Sequence, residues 1–95
     1  MTLSYRVLLS EEAISDFQDA YFWYELQRDN LGHEFELSVE ATLNRIARDP
    51  FAQEEKYRKV RVAYTQRFPY GIHYLVEDKS VKVQSIFHTS RYPNK

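Results

Sequence analysis

Cysteine is absent from the 95 residues, and glycine occurs only twice. The first absence excludes disulfides and thiolate metal sites and fits a cytoplasmic location. The second leaves no glycine-rich loop to cradle a phosphate, because Gly32 and Gly71 stand alone. No apolar run is long enough to span a bilayer, and Met1–Arg6 lacks the regions of a signal peptide, so no membrane partner is expected. The histidines at 33, 73 and 88 lack ligand-like spacing, so neither a metal nor another cofactor is expected. Ser85 and Ser90 have no nucleophile-elbow context.

A chain with 43% hydrophobic and 28% charged residues reads as soluble and globular, and its length allows one domain over residues 1–95. The net charge of −1 conceals an asymmetry. Residues 1–50 hold ten Asp/Glu and four Arg, whereas residues 51–95 hold nine Lys/Arg and four Glu/Asp. A basic second half favours an anionic partner, either nucleic acid or an acidic peptide. The plainer account places acids on helices and bases on strands, with no partner implied.

Alternation over Leu3–Leu9 predicts a first strand. Ser10 is a suitable N-cap, and Glu11 and Glu12 put negative charge where the helix dipole favours it. A helix to about Asn30 follows, with Ala13, Phe17, Ala20, Tyr21, Tyr24 and Leu31 on its apolar stripe. Gly32 is positioned to break it. A second helix, buried through Phe35, Val39, Leu43 and Ile46, ends at Asp49-Pro50. A charged loop spans 50–56, and from Tyr57 the period becomes that of strands. Two strands contain Val60, Val62, Tyr64 and Phe68, Tyr70, Ile72, Tyr74, Val76. A turn at Glu77–Ser80 leads to a last strand from Val81 to about His88. The order β-α-α-β-β-β predicts an α+β fold, with a helical hairpin packed on one face of an antiparallel sheet.

Strict alternation assigns faces. With Val60, Val62, Tyr64, Tyr70, Ile72, Tyr74, Val81 and Val83 turned to the helices, the open face gathers Lys59, Arg61, His73, Lys82 and His88, with Arg67 and Arg91 at its rim. Such a set suits RNA cleavage by the 2′-hydroxyl. Histidine exchanges protons near neutrality, and arginine grips phosphate through two donors. His33 reads as structural, and Tyr57, Tyr64, Tyr70 and Tyr74 read as packing residues. On the first helix, Phe22, Trp23 and Leu26 lie off the buried stripe. They either pack on the second helix or form a docking surface.

Three motifs occur in order: Ile46-Ala47-Arg48-Asp49-Pro50, Arg67-Phe68-Pro69-Tyr70-Gly71-Ile72-His73-Tyr74, and Phe87-His88-Thr89-Ser90-Arg91-Tyr92-Pro93. Their sequence and spacing resemble the RelE/ParE superfamily, toxins of bacterial type II toxin–antitoxin modules of the plasmid-stabilisation type. The resemblance implies growth inhibition relieved by a cognate antitoxin whose C-terminal segment wraps the toxin, adding a helix or strand. It leaves two actions open, and a homo-oligomer within the complex is compatible with both. One action is ParE-like poisoning of DNA gyrase by binding. The other is RelE-like, metal-independent cleavage of mRNA at the ribosome, for which Arg61, His88 and Arg91, with His73, are the implied catalytic residues and Lys59, Arg67 and Lys82 the implied substrate contacts. Phe22, Trp23 and Leu26 are the implied antitoxin contacts. The chain departs from the RNA-cleaving branch at Gly71, where that branch places an arginine, and in lacking a strongly basic composition. A protein-binding domain that kept the fold and lost toxicity is the third reading.

Overall fold

Residues 4–90 are described by a computed structural model of the chain. Strand β1 (Arg6–Leu9) precedes helices α1 (Glu11–Gln27) and α2 (Leu31–Arg48). Strands β2 (Glu55–Tyr57), β3 (Val60–Tyr64), β4 (Tyr70–Glu77) and β5 (Ser80–His88) follow. They form a single sheet in the order β1-β5-β4-β3-β2. The domain is α+β, with the helical hairpin on one face as the sequence predicts. The sheet is mixed, because β1 joins β5 in parallel while the other pairings are antiparallel. A helical hairpin between β1 and the remaining strands supplies the long connection that parallel pairing needs. The three-residue β2 occupies part of the expected loop.

Ser10 caps α1 as its sequence suggests: its Oγ accepts the Ala13 N–H at 3.0 Å and donates to the Gln84 carbonyl at 2.9 Å. That second bond ties the helix start to β5. The helix ends at Gln27, short of the expected Asn30, and Gly32 does not break it. The chain reverses through Asn30, whose φ of 73° lies in the left-handed region that asparagine tolerates. Gly32 sits in the first turn of α2, where a Cβ would come within 2.7 Å of the Tyr21 carbonyl and Glu25 Oε1. Its missing side chain lets the helices close up. Glu25 also accepts the N–H groups of Asn30 at 2.9 Å and Gly32 at 2.8 Å, satisfying donors that a helix start leaves open.

The core lies between this hairpin and the inner sheet face. Phe35 is its centre, with ring centroids of Tyr70, Tyr24, Phe68 and Phe17 at 4.9, 5.3, 5.5 and 5.7 Å. Ala63, Ile72, Tyr74, Val81, Val83 and Ile86 complete it from the strands. Tyr74 donates its hydroxyl to the Pro50 carbonyl at 2.7 Å, fixing the exit of α2 against the sheet.

Candidate partner-binding surface

The register of the sheet decides which predicted site residues can meet. Directly opposed residues of an antiparallel pair project to the same face. In the β3–β4 pair Arg61 opposes Tyr74 and Ala63 opposes Ile72, so Arg61 and Ala63 lie on the helix side. Val62 opposes His73 and Tyr64 opposes Gly71, which puts the valine and tyrosine on the outer face. The expected orientation of β3 is therefore reversed. Small Ala63 fits beneath the helices, whereas Val60 and Val62 are buried outside the main core, on the side of His73 and Phe87. With apolar residues on both faces, alternation reveals the period and not the side.

Strand β5 departs from alternation in a second way. His73 opposes Ser85 while Tyr74 opposes Val83, so Gln84 is an extra residue and the strand bulges. The bulge inverts every later side chain. Ile86 and His88 turn inward beside Ile72 and Tyr70, and Phe87 turns outward, contrary to the expectation for Ile86 and His88.

The shared face expected for Arg61, His73 and His88 consequently does not form. His73 and His88 lie on opposite faces, and Arg61 lies four residues along β4 from His88, about 13 Å at the usual strand rise. His73 is half-buried, stacks on Phe87 at 4.3 Å and shares a hydrogen bond with Ser85 Oγ at 3.0 Å. Burial, reinforced by the nearby Lys56 charge, lowers its pKa and favours the neutral ring. His88 packs edge-on to Tyr70 at 5.2 Å and accepts the Ser90 N–H.

Arg61 is only 16% exposed through its side chain. It donates to the Gln53 carbonyl, lies 4.9 Å over the Phe51 ring and approaches Glu55 at 3.8 Å. These contacts hold the segment between α2 and β2. Arg67 bridges to Glu34 at 2.8 Å and covers Phe68; its hydrogen bond, with that of Arg28, lowers the Glu34 pKa. Lys82 pairs with Glu77 at 2.8 Å on the outer face, and Lys59 occupies the β2–β3 turn with a φ of 69°. Arg91 lies outside the described residues. Among those described, no group of three or more His, Cys, Asp or Glu side chains is placed to hold a metal.

Phe22, Trp23 and Leu26 are where an interface could form. They are 63%, 51% and 84% exposed, so they do not pack into the hairpin. Ala13 and Ala20 of α1 are buried, with Phe22 and Leu26 turned away from them and Trp23 at the boundary, which fixes the helix's orientation. Trp23 also walls a 280 Å³ cleft between α1 and the end of β5, lined by Asp16, Asp19, Tyr24, Tyr70 and His88 among others. Asp16 accepts the Ile86 N–H at 3.0 Å, just past the bulge and beyond the last residue β1 pairs with β5. Strand β1 forms one edge of the sheet with Leu8 and Leu9 partly exposed, so its free side is open to main-chain pairing. The cleft and its acidic lining were not legible from the sequence, because the bulge brings His88 into it.

The chain is an α+β domain, a mixed five-stranded sheet under a helical hairpin, with an apolar face of α1 exposed. The family model for the ParE toxin of the parDE type II toxin–antitoxin system matches residues 7–93, and the chain belongs to that family. Its fold is similar to that of a solved chain from the "Chromosomal ParDE TA system from P. aeruginosa", with a TM-score of 0.79 and 12% identity. The similarity covers 90% of this chain and 96% of the other. No curated protein matches it. Among the described residues, no helix is long and apolar enough to cross a membrane.

Proposed function

We propose that this type II toxin acts by binding its target, with DNA gyrase the expected one, and that a cognate antitoxin neutralises it by covering the exposed face of α1. The observation that supports binding over RNA cleavage is the separation of His73 from His88 by the full thickness of the sheet. Transfer of a proton from a 2′-hydroxyl and to a leaving oxygen needs both groups within hydrogen-bond reach of one phosphate. The inward Arg61, occupied by Gln53, Glu55 and Phe51, is poorly placed to grip that phosphate.

Induced expression followed by parallel assays of plasmid supercoiling and RNA integrity tests the reading. Lost supercoiling with intact RNA is expected, for the wild type and for His88→Ala alike. RNA cleavage that disappears in a folded His88→Ala variant would reverse it and restore the mRNA-cleaving alternative. Absence of growth inhibition, with supercoiling and RNA both intact, would leave a protein-binding domain without toxicity.

A further inference from the structure

Helix α1 carries five carboxylates, Glu11, Glu12, Asp16, Asp19 and Glu25, and no lysine or arginine. Glu25 is committed to the start of α2. Among the described residues no cation pairs with Glu11, Glu12, Asp16 or Asp19. Asp16 feels the lack: burial, then like charge from Glu12 and Asp19, raises its pKa against the Ile86 hydrogen bond that lowers it. Of these acids, Asp16 and Asp19 lie on the two turns that precede the exposed Phe22, Trp23 and Leu26, and both line the cleft that Trp23 walls.

Covering such a face with a purely apolar partner would strip water from unpaired carboxylates, each at a cost of several kcal/mol. The occupant must therefore bring cations beside its apolar anchors. Phe22 and Leu26 are one helical turn apart and form a ridge of the kind that fits the groove of another helix. We propose that α1 and its cleft receive an amphipathic basic helix of the antitoxin. One arginine or lysine enters between Asp16 and Asp19 with its stem along Trp23, and aliphatic side chains cover Phe22 and Leu26. The identity of the partner rests on the antitoxin reading above; the chemistry of the socket rests on α1 itself. A cleft of 280 Å³ has room for such a side chain, and its aromatic wall suits a planar guanidinium.

Trp23 is the only tryptophan, so its fluorescence reports this site alone. The full chain is titrated with two designed amphipathic peptides of about 18 residues, long enough to become helical on contact. One carries Leu with Lys and Arg, and the other carries Glu in place of every cation. The basic peptide should shift Trp23 emission and bind at least about tenfold more tightly, a preference of about 1.4 kcal/mol that salt erodes. Asp16→Asn with Asp19→Asn should remove that preference, and the asparagine oxygen can still accept the Ile86 N–H. Equal binding of both peptides, no response at Trp23, or an unchanged preference in the folded double variant would each overturn the inference.

Co-expression with the product of the neighbouring reading frame, where that encodes a small protein, separates the two readings. If that protein copurifies equally well with wild type, with the double Asp variant and with Trp23→Ala, the antitoxin reading stands and the basic-helix socket fails. If the basic peptide binds as expected and the neighbouring protein never does, the socket stands and the antitoxin reading fails.

Discussion

Burial favours the neutral form of His73, and that ties the stability of the fold to pH. Its folded pKa is lowered below the ordinary 6.5, chiefly by burial. The unfolded chain therefore binds the proton more readily, and stability rises with pH across the window between the two values. The stabilisation is fully present above about pH 6.5 and is lost as the pH falls below it. Urea midpoints measured between pH 7.5 and 5 should fall on acidification, and His73→Phe should flatten that slope relative to wild type. A variant with the wild-type slope would show that His73 does not carry the effect. Arg61 makes a different residue-scale prediction. Because its guanidinium is tied to Gln53, Glu55 and the Phe51 ring, Arg61→Ala should cost about 2 kcal/mol in denaturant unfolding. The folded fraction should keep its growth inhibition. Full stability with lost toxicity would make Arg61 a target contact.

At the scale of the element, the two glycines are too few for the turns the chain makes. Asn30, Arg58, Lys59, Arg67, Asp78 and Lys79 all adopt positive φ without being glycine. Arg58–Lys59 and Asp78–Lys79 are the two-residue turns of hairpins, where both central residues need that conformation. Lys79→Gly should relieve strain at an exposed turn and stabilise the fold by about 1 kcal/mol, read as a raised urea midpoint. Gly32→Ala should do the opposite. Alanine gains helix propensity of about 1 kcal/mol, yet its Cβ would lie 2.7 Å from the Tyr21 carbonyl, a backbone atom that cannot swing away. A net loss of stability is expected, and a gain would mean the helices separate easily.

These elements also show what the sequence could disclose. The helices, the cap at Ser10 and the inward residues of β4 follow from periodicity and capping, and the family follows from ordered motifs; periodicity left open whether Phe22, Trp23 and Leu26 pack on α2 or face solvent. The arrangement of the cationic residues did not follow. Period alone cannot name the inner side of β3 when Val62 and Ala63 are both buried, and a bulge at Gln84 is invisible to a rule that assumes unbroken alternation. Gly32 read as a breaker because a glycine near a helix end and a glycine at a helix crossing look the same in one dimension.

At the scale of the molecule, the acidic first half and the basic second half separate two kinds of contact. Helix α1 presents its apolar and acidic face on one side, while His73, Lys82 and the tyrosines at 57 and 64 occupy or border the other side of the sheet. Antitoxin binding and toxicity should therefore be mutable apart. Trp23 is half exposed, so its truncation leaves no large internal cavity, and Trp23→Ala should fold with a near-wild-type urea midpoint. As an interface anchor it should weaken the antitoxin complex by about 2 kcal/mol, measured by calorimetry on purified proteins. Expressed alone, the variant should inhibit growth as the wild type does; with antitoxin present it should escape neutralisation. Raised salt should weaken the wild-type complex if Asp16 and Asp19 meet cations across the interface, because the screening length shrinks from about 8 Å at physiological ionic strength to about 3 Å at 1 M. Full neutralisation of a folded Trp23→Ala variant would move the antitoxin off α1 and leave the open edge of β1 as its seat.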